Sequence, residues 1–213
     1  MQDNMKTLIF SGGIITDYSF VNKEELKKCF IISADGGYRH LLKLDVKPDV
    51  FIGDKDSCKT ELPKDIKVIA CPEKKDYTDT KKCVDYAIDN GATQIDIYGG
   101  LYGRLDHEYA NICLLAYGLE RGIRIRLLDR YNEIFMMDKP FSLKKGMRKY
   151  VSFFPFGSEV KGLSLKGFKY GLCDVTLTEK NTNSSSNEFL SDTAYIEFKS
   201  GKLLVMLCDD IDK

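Results

Sequence analysis

The chain has 213 residues, 43% of them hydrophobic, with 32 basic and 32 acidic side chains in balance. That length holds one large domain or two small ones, and the apolar content is ample for a core. The even charge balance leaves no whole-molecule field to recruit nucleic acid or an anionic membrane surface.

Residues 6–10 read as a first apolar strand, left through the tight turn Ser11-Gly12-Gly13. A second buried strand over 29–34 ends in Asp35-Gly36-Gly37, and a helical pattern with Tyr38, Leu41, Leu42 and Leu44 follows. A third strand over 49–52 ends in Gly53-Asp54-Lys55-Asp56-Ser57. A fourth over 66–71 runs into Pro72-Glu73-Lys74-Lys75-Asp76. Thr78-Asp79 then open a helix to about residue 90, with Gly91 as its stop. A fifth strand over 94–98 ends in Gly99-Gly100. The next helix carries Leu105, Tyr109, Ile112, Ala116 and Leu119 on one face and stops at Gly122. Residues 123–128 give a sixth strand.

Strand and helix alternate throughout this half, which predicts parallel strands joined by helical crossovers. After Met137 the texture changes, and Asp138-Lys139-Pro140 marks a boundary between domains 1–138 and 139–213. Short runs at 150–154, 163–165, 175–177, 194–198 and 203–207 predict an antiparallel β domain, sandwich or barrel. Ser200-Gly201-Lys202 has the chemistry of a hairpin turn. By composition alone, the polar stretch from Asn181 to Asn187 is a loop.

Seven scattered cysteines with no Cys-x-x-Cys pair suit reduced thiols better than a disulfide framework or a zinc site. No apolar run is long enough to span a bilayer. The first residues lack the basic start and apolar stretch of a signal peptide. A cytoplasmic protein is expected, with no membrane and no nucleic acid as partner.

In an open parallel sheet the ligand crevice lies outside the carboxyl ends of the strands. Asp35, Asp54, Asp56, Asp76, Asp79, Arg104 and Asp106 all follow predicted strands and are therefore expected on one edge. Gathered carboxylates repel one another unless a hard, oxygen-loving cation sits between them, Mg²⁺ first. Arg104 can grip a phosphate bidentately, and glycine turns let backbone amides approach one closely. The chemistry implied is transfer or hydrolysis of a phosphate group. The chain has neither a Gly-x-x-x-x-Gly-Lys-Ser/Thr loop nor a Gly-x-Gly-x-x-Gly turn, which argues against P-loop kinases and nicotinamide enzymes. Lys75 is either a phosphate contact or solvated surface charge. His107, beside Asp106, is either a base or a polar partner at a helix start.

Six motifs in order resemble the thiamine pyrophosphokinase family: Ala34-Asp35-Gly36-Gly37, Gly53-Asp54-Lys55-Asp56-Ser57, Lys75-Asp76-Tyr77-Thr78-Asp79, the stretch from Gly99 to His107, Gly167-Phe168-Lys169-Tyr170, and Ser184-Ser185-Ser186-Asn187-Glu188-Phe189. The resemblance implies an enzyme that moves a pyrophosphoryl group from ATP to thiamine. It implies an α/β domain for ATP and Mg²⁺ followed by a β-sandwich domain, in a homodimer that holds thiamine between subunits. By matching position, Asp35, Asp54, Asp56 and Asp79 become the metal-binding and catalytic acids. Thr78, Asp76, Arg104, Asp106 and Lys75 fall on the ATP side, and Ser186, Asn187 and Tyr170 on the thiamine side. Which aspartate takes the hydroxyl proton stays open, Asp79 being one candidate. Two positions depart from the family pattern: Lys55, where a bulky apolar residue is common, and Gly171, where proline is common in bacterial members. The rival readings are a metal-dependent phosphohydrolase and a non-enzymatic sensor of nucleotide or thiamine.

Overall fold

Six of the apolar runs become six parallel strands in a computed structural model that describes residues 5–54, 62–71, 76–180 and 184–211. They are β1 (Met5–Phe10), β2 (Phe30–Ala34), β3 (Val50–Gly53), β4 (Lys67–Ala70), β5 (Ala92–Tyr98) and β6 (Arg124–Leu128). Their order is β6-β5-β1-β2-β3-β4, and each of these pairings is parallel. The chain steps outward from β1 to β4, then returns across the sheet to place β5 on the other side of β1. The strand order therefore reverses between β1 and β5, where loops leave toward opposite faces and open a crevice.

The helices are α1 (Lys23–Leu26), α2 (Tyr38–Leu44), α3 (Asp79–Asp89) and α4 (Leu105–Leu119). Helix α3 starts where expected, because the Thr78 side chain accepts from the Lys81 amide at 3.1 Å. It buries Thr80, Cys83, Val84 and Ala87, the i, i+3, i+4, i+7 stripe of a helix lying on a sheet. On one sheet face, Leu8, Phe10, Ile31 and Phe51 pack with Leu41 and Tyr38 of α2.

Helix α4 lies differently from its apolar pattern. Leu105 is 78% exposed and Tyr109 62%, while Asn111, Leu114, Leu115, Ala116 and Gly118 are buried. Close approach sets the docking: a methyl group on Gly118 would stand 2.5 Å from the Ile125 side chain of β6. The expected stripe of Leu105, Tyr109, Ile112, Ala116 and Leu119 thus contributes only Ala116 to the fully buried face.

The second compact unit begins at Tyr131, ahead of the change in sequence texture at Asp138-Lys139-Pro140. The reason is β7 (Asn132–Met137), which pairs antiparallel with the last strand, β14 (Leu203–Cys208). Between them come β8 (Phe141–Lys144), β9 (Tyr150–Pro155), β10 (Val160–Lys166), β11 (Leu172–Leu177), β12 (Asn187–Glu188) and β13 (Thr193–Glu197). One set of strands runs β12-β9-β14-β7 and the other β11-β10-β13-β8, all antiparallel. Inward-facing Phe135, Phe153, Val205, Leu163, Leu165 and Ile196 form one core, as a sandwich requires. Ser200-Gly201-Lys202 is not a hairpin turn. It carries the chain from β13 in one sheet to β14 in the other, held by the Lys199 amide on the Lys161 carbonyl.

No disulfide joins the cysteines among the described residues. Among them, too, no helix is long and apolar enough to cross a membrane.

Candidate active site

At the β1/β5 reversal the first unit opens a cleft of about 610 Å³. Its floor is made of turns. The Ser11-Gly12-Gly13 turn after β1 meets the Gly99-Gly100 turn after β5 through the Gly13 amide on the Gly99 carbonyl at 2.8 Å. A methyl group on Gly13 would fall 2.3 Å from that carbonyl oxygen, and one on Gly37 would fall 1.9 Å from the Phe10 carbonyl. Only glycine fits where backbone lies on backbone. Below them the Ser11 and Thr80 hydroxyls are paired at 2.8 Å.

Around this floor the structure brings together Asp35, Thr78, Asp79, Arg104 and His107. Asp35 stands out. It holds a left-handed backbone, φ 45°, and its Oδ1 is buried with no hydrogen-bond partner among the described residues. Gly53 makes that conformation possible, since a Cβ there would come within 2.8 Å of the Asp35 Cα. Asp54 follows directly, half-buried. Asp56 and Lys75 lie outside the described residues.

Asp76 and Asp106 are exposed and stand apart from the cleft lining. Asp106 instead grips Arg104 bidentately, Nε to Oδ1 at 3.2 Å and Nη2 to Oδ2 at 2.6 Å. The guanidinium holds the Asp106 carboxyl below its ordinary range, and the carboxylate pushes Arg104 up. The pair is a preassembled arm at the start of α4.

Among the described residues no group of three or more His, Cys, Asp or Glu side chains is placed to hold a metal unaided. A cation of the Mg²⁺ type is commonly held by one or two carboxylates plus phosphate oxygens supplied by the substrate. Asp35 Oδ1, without a hydrogen-bond partner among the described residues, is an oxygen donor of the kind such an ion takes.

Several residues of the cleft had no sequence signal. Asn111 donates to the Gly100 carbonyl at 2.7 Å, and Glu108 accepts from the Gly103 amide at 2.7 Å. Arg39 donates to the Gly12 and Gly13 carbonyls, the latter at 2.8 Å. Tyr77 also lines the cleft; it lies inside the motif from Lys75 to Asp79, which gave it no role of its own. Three of these act on backbone atoms, and tethers of that kind leave no motif.

The second unit carries the other expected residues. Asn187 is buried, with its side chain accepting from the Tyr170 amide at 2.9 Å and donating to the Tyr170 carbonyl at 2.8 Å. Its amide group is therefore committed to holding the Tyr170 loop. The Tyr170 ring itself is 57% exposed, a surface platform and not core. Ser186 holds φ 56° and gives its amide to Ser152 Oγ at 3.0 Å. Ser184 is buried and bonded to the Phe153 carbonyl at 2.5 Å. The described part of the polar stretch is thus built into the sheet edge, unlike the loop its composition suggests.

Comparison with known proteins agrees with this architecture. Residues 22–127 match the family model "Thiamin pyrophosphokinase, catalytic domain", and residues 140–203 match "Thiamin pyrophosphokinase, vitamin B1 binding domain". The chain is 33% identical to the thiamine pyrophosphokinase of Bacillus subtilis, over 97% of this chain and all of that one. The crystal structure of the Bacillus subtilis protein superposes with a TM-score of 0.87 at 30% identity, covering 97% of this chain and 100% of that one. Thiamin pyrophosphokinase from Candida albicans, at 18% identity, shares the fold with a TM-score of 0.76, covering 97% of this chain and 90% of that one.

Proposed function

The chain belongs to the thiamine pyrophosphokinase family, and from that premise we propose that it transfers a pyrophosphoryl group from ATP to the hydroxyl of thiamine. The thiamine oxygen forms a bond to the β-phosphorus, the bond between that phosphorus and the α,β-bridging oxygen breaks, and AMP leaves with the electron pair. The hydroxyl proton passes to a carboxylate, with Asp79 the candidate inside the cleft. The single observation that carries this reading is the Asp35 oxygen, buried and without a hydrogen-bond partner among the described residues, beside turns built for anion approach.

In this reading Asp35, Asp54, Asp56 and Asp79 hold Mg²⁺ together with the phosphates. Bound there, the ion would supply positive charge to offset the negative charge of the phosphates. Arg104 turns from Asp106 toward the triphosphate, and the positive ends of α3 and α4 face the same anion. Thr78 keeps the start of α3 in place. Lys75 and Asp76 complete the nucleotide side.

The second unit takes thiamine, with Tyr170 as platform, Ser186 as contact and Asn187 holding the platform loop. The active form is a cytoplasmic homodimer, with thiamine held between subunits. The exposed Tyr170 ring supports this, because a large apolar side chain left open suits a ligand or partner surface.

One incubation tests the proposal. Purified protein with ATP, Mg²⁺ and thiamine should release AMP and thiamine diphosphate in equal amounts, and neither without thiamine. Phosphate or pyrophosphate appearing without thiamine would instead identify a hydrolase. Binding without turnover would identify a sensor.

A further inference from the structure

The cleft floor rests on a side chain that neither the reaction nor the family motifs employ. His40, on α2, is 2% exposed. Its Nε2 lies 2.8 Å from the Gly13 carbonyl and its Nδ1 lies 2.8 Å from the Tyr18 hydroxyl. A carbonyl only accepts, so Nε2 carries the proton. In the neutral ring Nδ1 is then bare, and Tyr18 donates to it.

We infer that His40, oriented by Tyr18, is a positioning residue that fixes the Gly12-Gly13 turn in the shape that receives the nucleotide's phosphates; the inference rests on the function proposed above.

The peptide planes make the case. A peptide unit is rigid, with its C=O and N–H on opposite edges. In the unit joining Gly12 to Gly13, Arg39 holds the carbonyl and the Gly99 carbonyl holds the amide. In the unit joining Gly13 to Ile14, His40 and Arg39 hold the carbonyl, and the Tyr102 carbonyl takes the Ile14 amide at 2.9 Å. Both planes are pinned at both edges. The turn has no side chains of its own to keep its shape, since a Cβ on Gly13 would collide with Gly99. Its rigidity is imported, and His40 supplies one of the tethers, on the Gly13 carbonyl.

The groups facing the ring are Arg39 and Lys43 from its own helix, Tyr18 from the segment before α1, and the Ser11 and Gly13 backbone. Burial, the backbone bonds notwithstanding, pushes the imidazole down to about 4, so the ring is neutral near pH 7. A neutral ring donating through Nε2 is one that an uncharged amide can imitate.

The test uses the full chain. His40→Leu removes the donor, while His40→Gln can place an amide N–H near the position of Nε2. Steady-state rates with ATP, Mg²⁺ and thiamine give KM for each substrate, and calorimetry gives Mg·ATP affinity. His40→Leu should raise the ATP KM about 10-fold, the worth of one well-made hydrogen bond, with the thiamine KM unchanged within about 2-fold. His40→Gln should return to within about 3-fold of wild type. An unchanged ATP KM in His40→Leu overturns the inference, as does an equal loss for both substrates or a failure of Gln to recover the ATP KM. If His40→Leu does not fold, Tyr18→Phe decides: a raised ATP KM supports the role and an unchanged one refutes it. Wild-type protein that binds no Mg·ATP sinks the parent proposal separately.

Discussion

Asp35→Asn should make the ligand-free protein more stable and the enzyme nearly dead. The side chain keeps its size, and asparagine tolerates the left-handed backbone at φ 45° as well as aspartate does. What changes is the buried Oδ1, which has no hydrogen-bond partner among the described residues. An unsatisfied buried polar atom costs about 1–3 kcal/mol, more when it belongs to a charged group. Replacing carboxylate by amide should recover about 1 kcal/mol of that, a rise in Tm of roughly 2–4 °C for a chain of this size. Under the proposed role, turnover should fall about 100-fold or more through loss of one preorganised charge. Urea unfolding measured with and without Mg·ATP separates the two effects. At 100 times its dissociation constant the ligand should stabilise wild type by about 2.7 kcal/mol, and most of that gain should vanish in the variant. A variant that is less stable without ligand, or that releases AMP within about 3-fold of wild type, would refute the reasoning.

Acid should weaken the fold through His40. The unfolded ring takes its proton near the ordinary value of 6.5, whereas the folded ring waits until about 4. Stability is therefore full above 6.5, falls as pH drops from 6.5 to 4, and levels off below. The whole step amounts to about 3 kcal/mol. His40→Gln should lack this component when urea midpoints are compared at pH 7 and pH 4.5, and an identical pH dependence in the two proteins would exclude His40 as its source. In the second unit, Asn187→Ala removes both bonds to the Tyr170 backbone and a third from the Glu188 amide at 3.0 Å. It should cost about 2–3 kcal/mol in urea unfolding and raise the thiamine KM; a loss under about 0.5 kcal/mol would show the bonds to be dispensable.

Strands β1, β2, β3 and β5 were readable because largely buried strands are apolar runs, and every run from β1 to β6 is followed in sequence by glycine or a charged residue nearby. The carboxyl-edge rule then gathered Asp35, Asp79 and Arg104 without any contact information, but it also named Asp76 and Asp106, which stand apart from the cleft lining. Other features were hidden for physical reasons. Leu105 and Tyr109 sit at helical spacing, yet the docking of α4 is set by how closely Gly118 meets Ile125. A glycine marks that approach but no periodicity does. Turn chemistry at Gly201 shows where the chain reverses, not which strand it joins next, so a crossover between sheets looked like a hairpin. Arg39, His40, Glu108 and Asn111 reach backbone atoms of residues distant in sequence, except where α4 holds the loop just before it. Such bonds are a property of the folded chain alone.

The acids of the cleft edge have a second consequence. Asp79 opens α3, and Asp106 and Glu108 lie in the first turn of α4. Negative charge at a helix start offsets the helix dipole, so these residues stabilise the ligand-free protein. Under the proposed function a triphosphate would approach the same two helix starts and bring several negative charges of its own. Two anions cannot share that space on helix dipoles alone, because carboxylate and phosphate at contact distance repel by kcal/mol even at an effective dielectric near about 20. Release of Arg104 from Asp106 supplies one positive charge but uncovers one negative charge as well. On that reading the arrangement would become favourable with a divalent cation entering beside the nucleotide. Asp35, whose Oδ1 has no hydrogen-bond partner among the described residues, lines the same cleft. The proposed function thus ties nucleotide affinity to the cation: free ATP should bind poorly and Mg·ATP well.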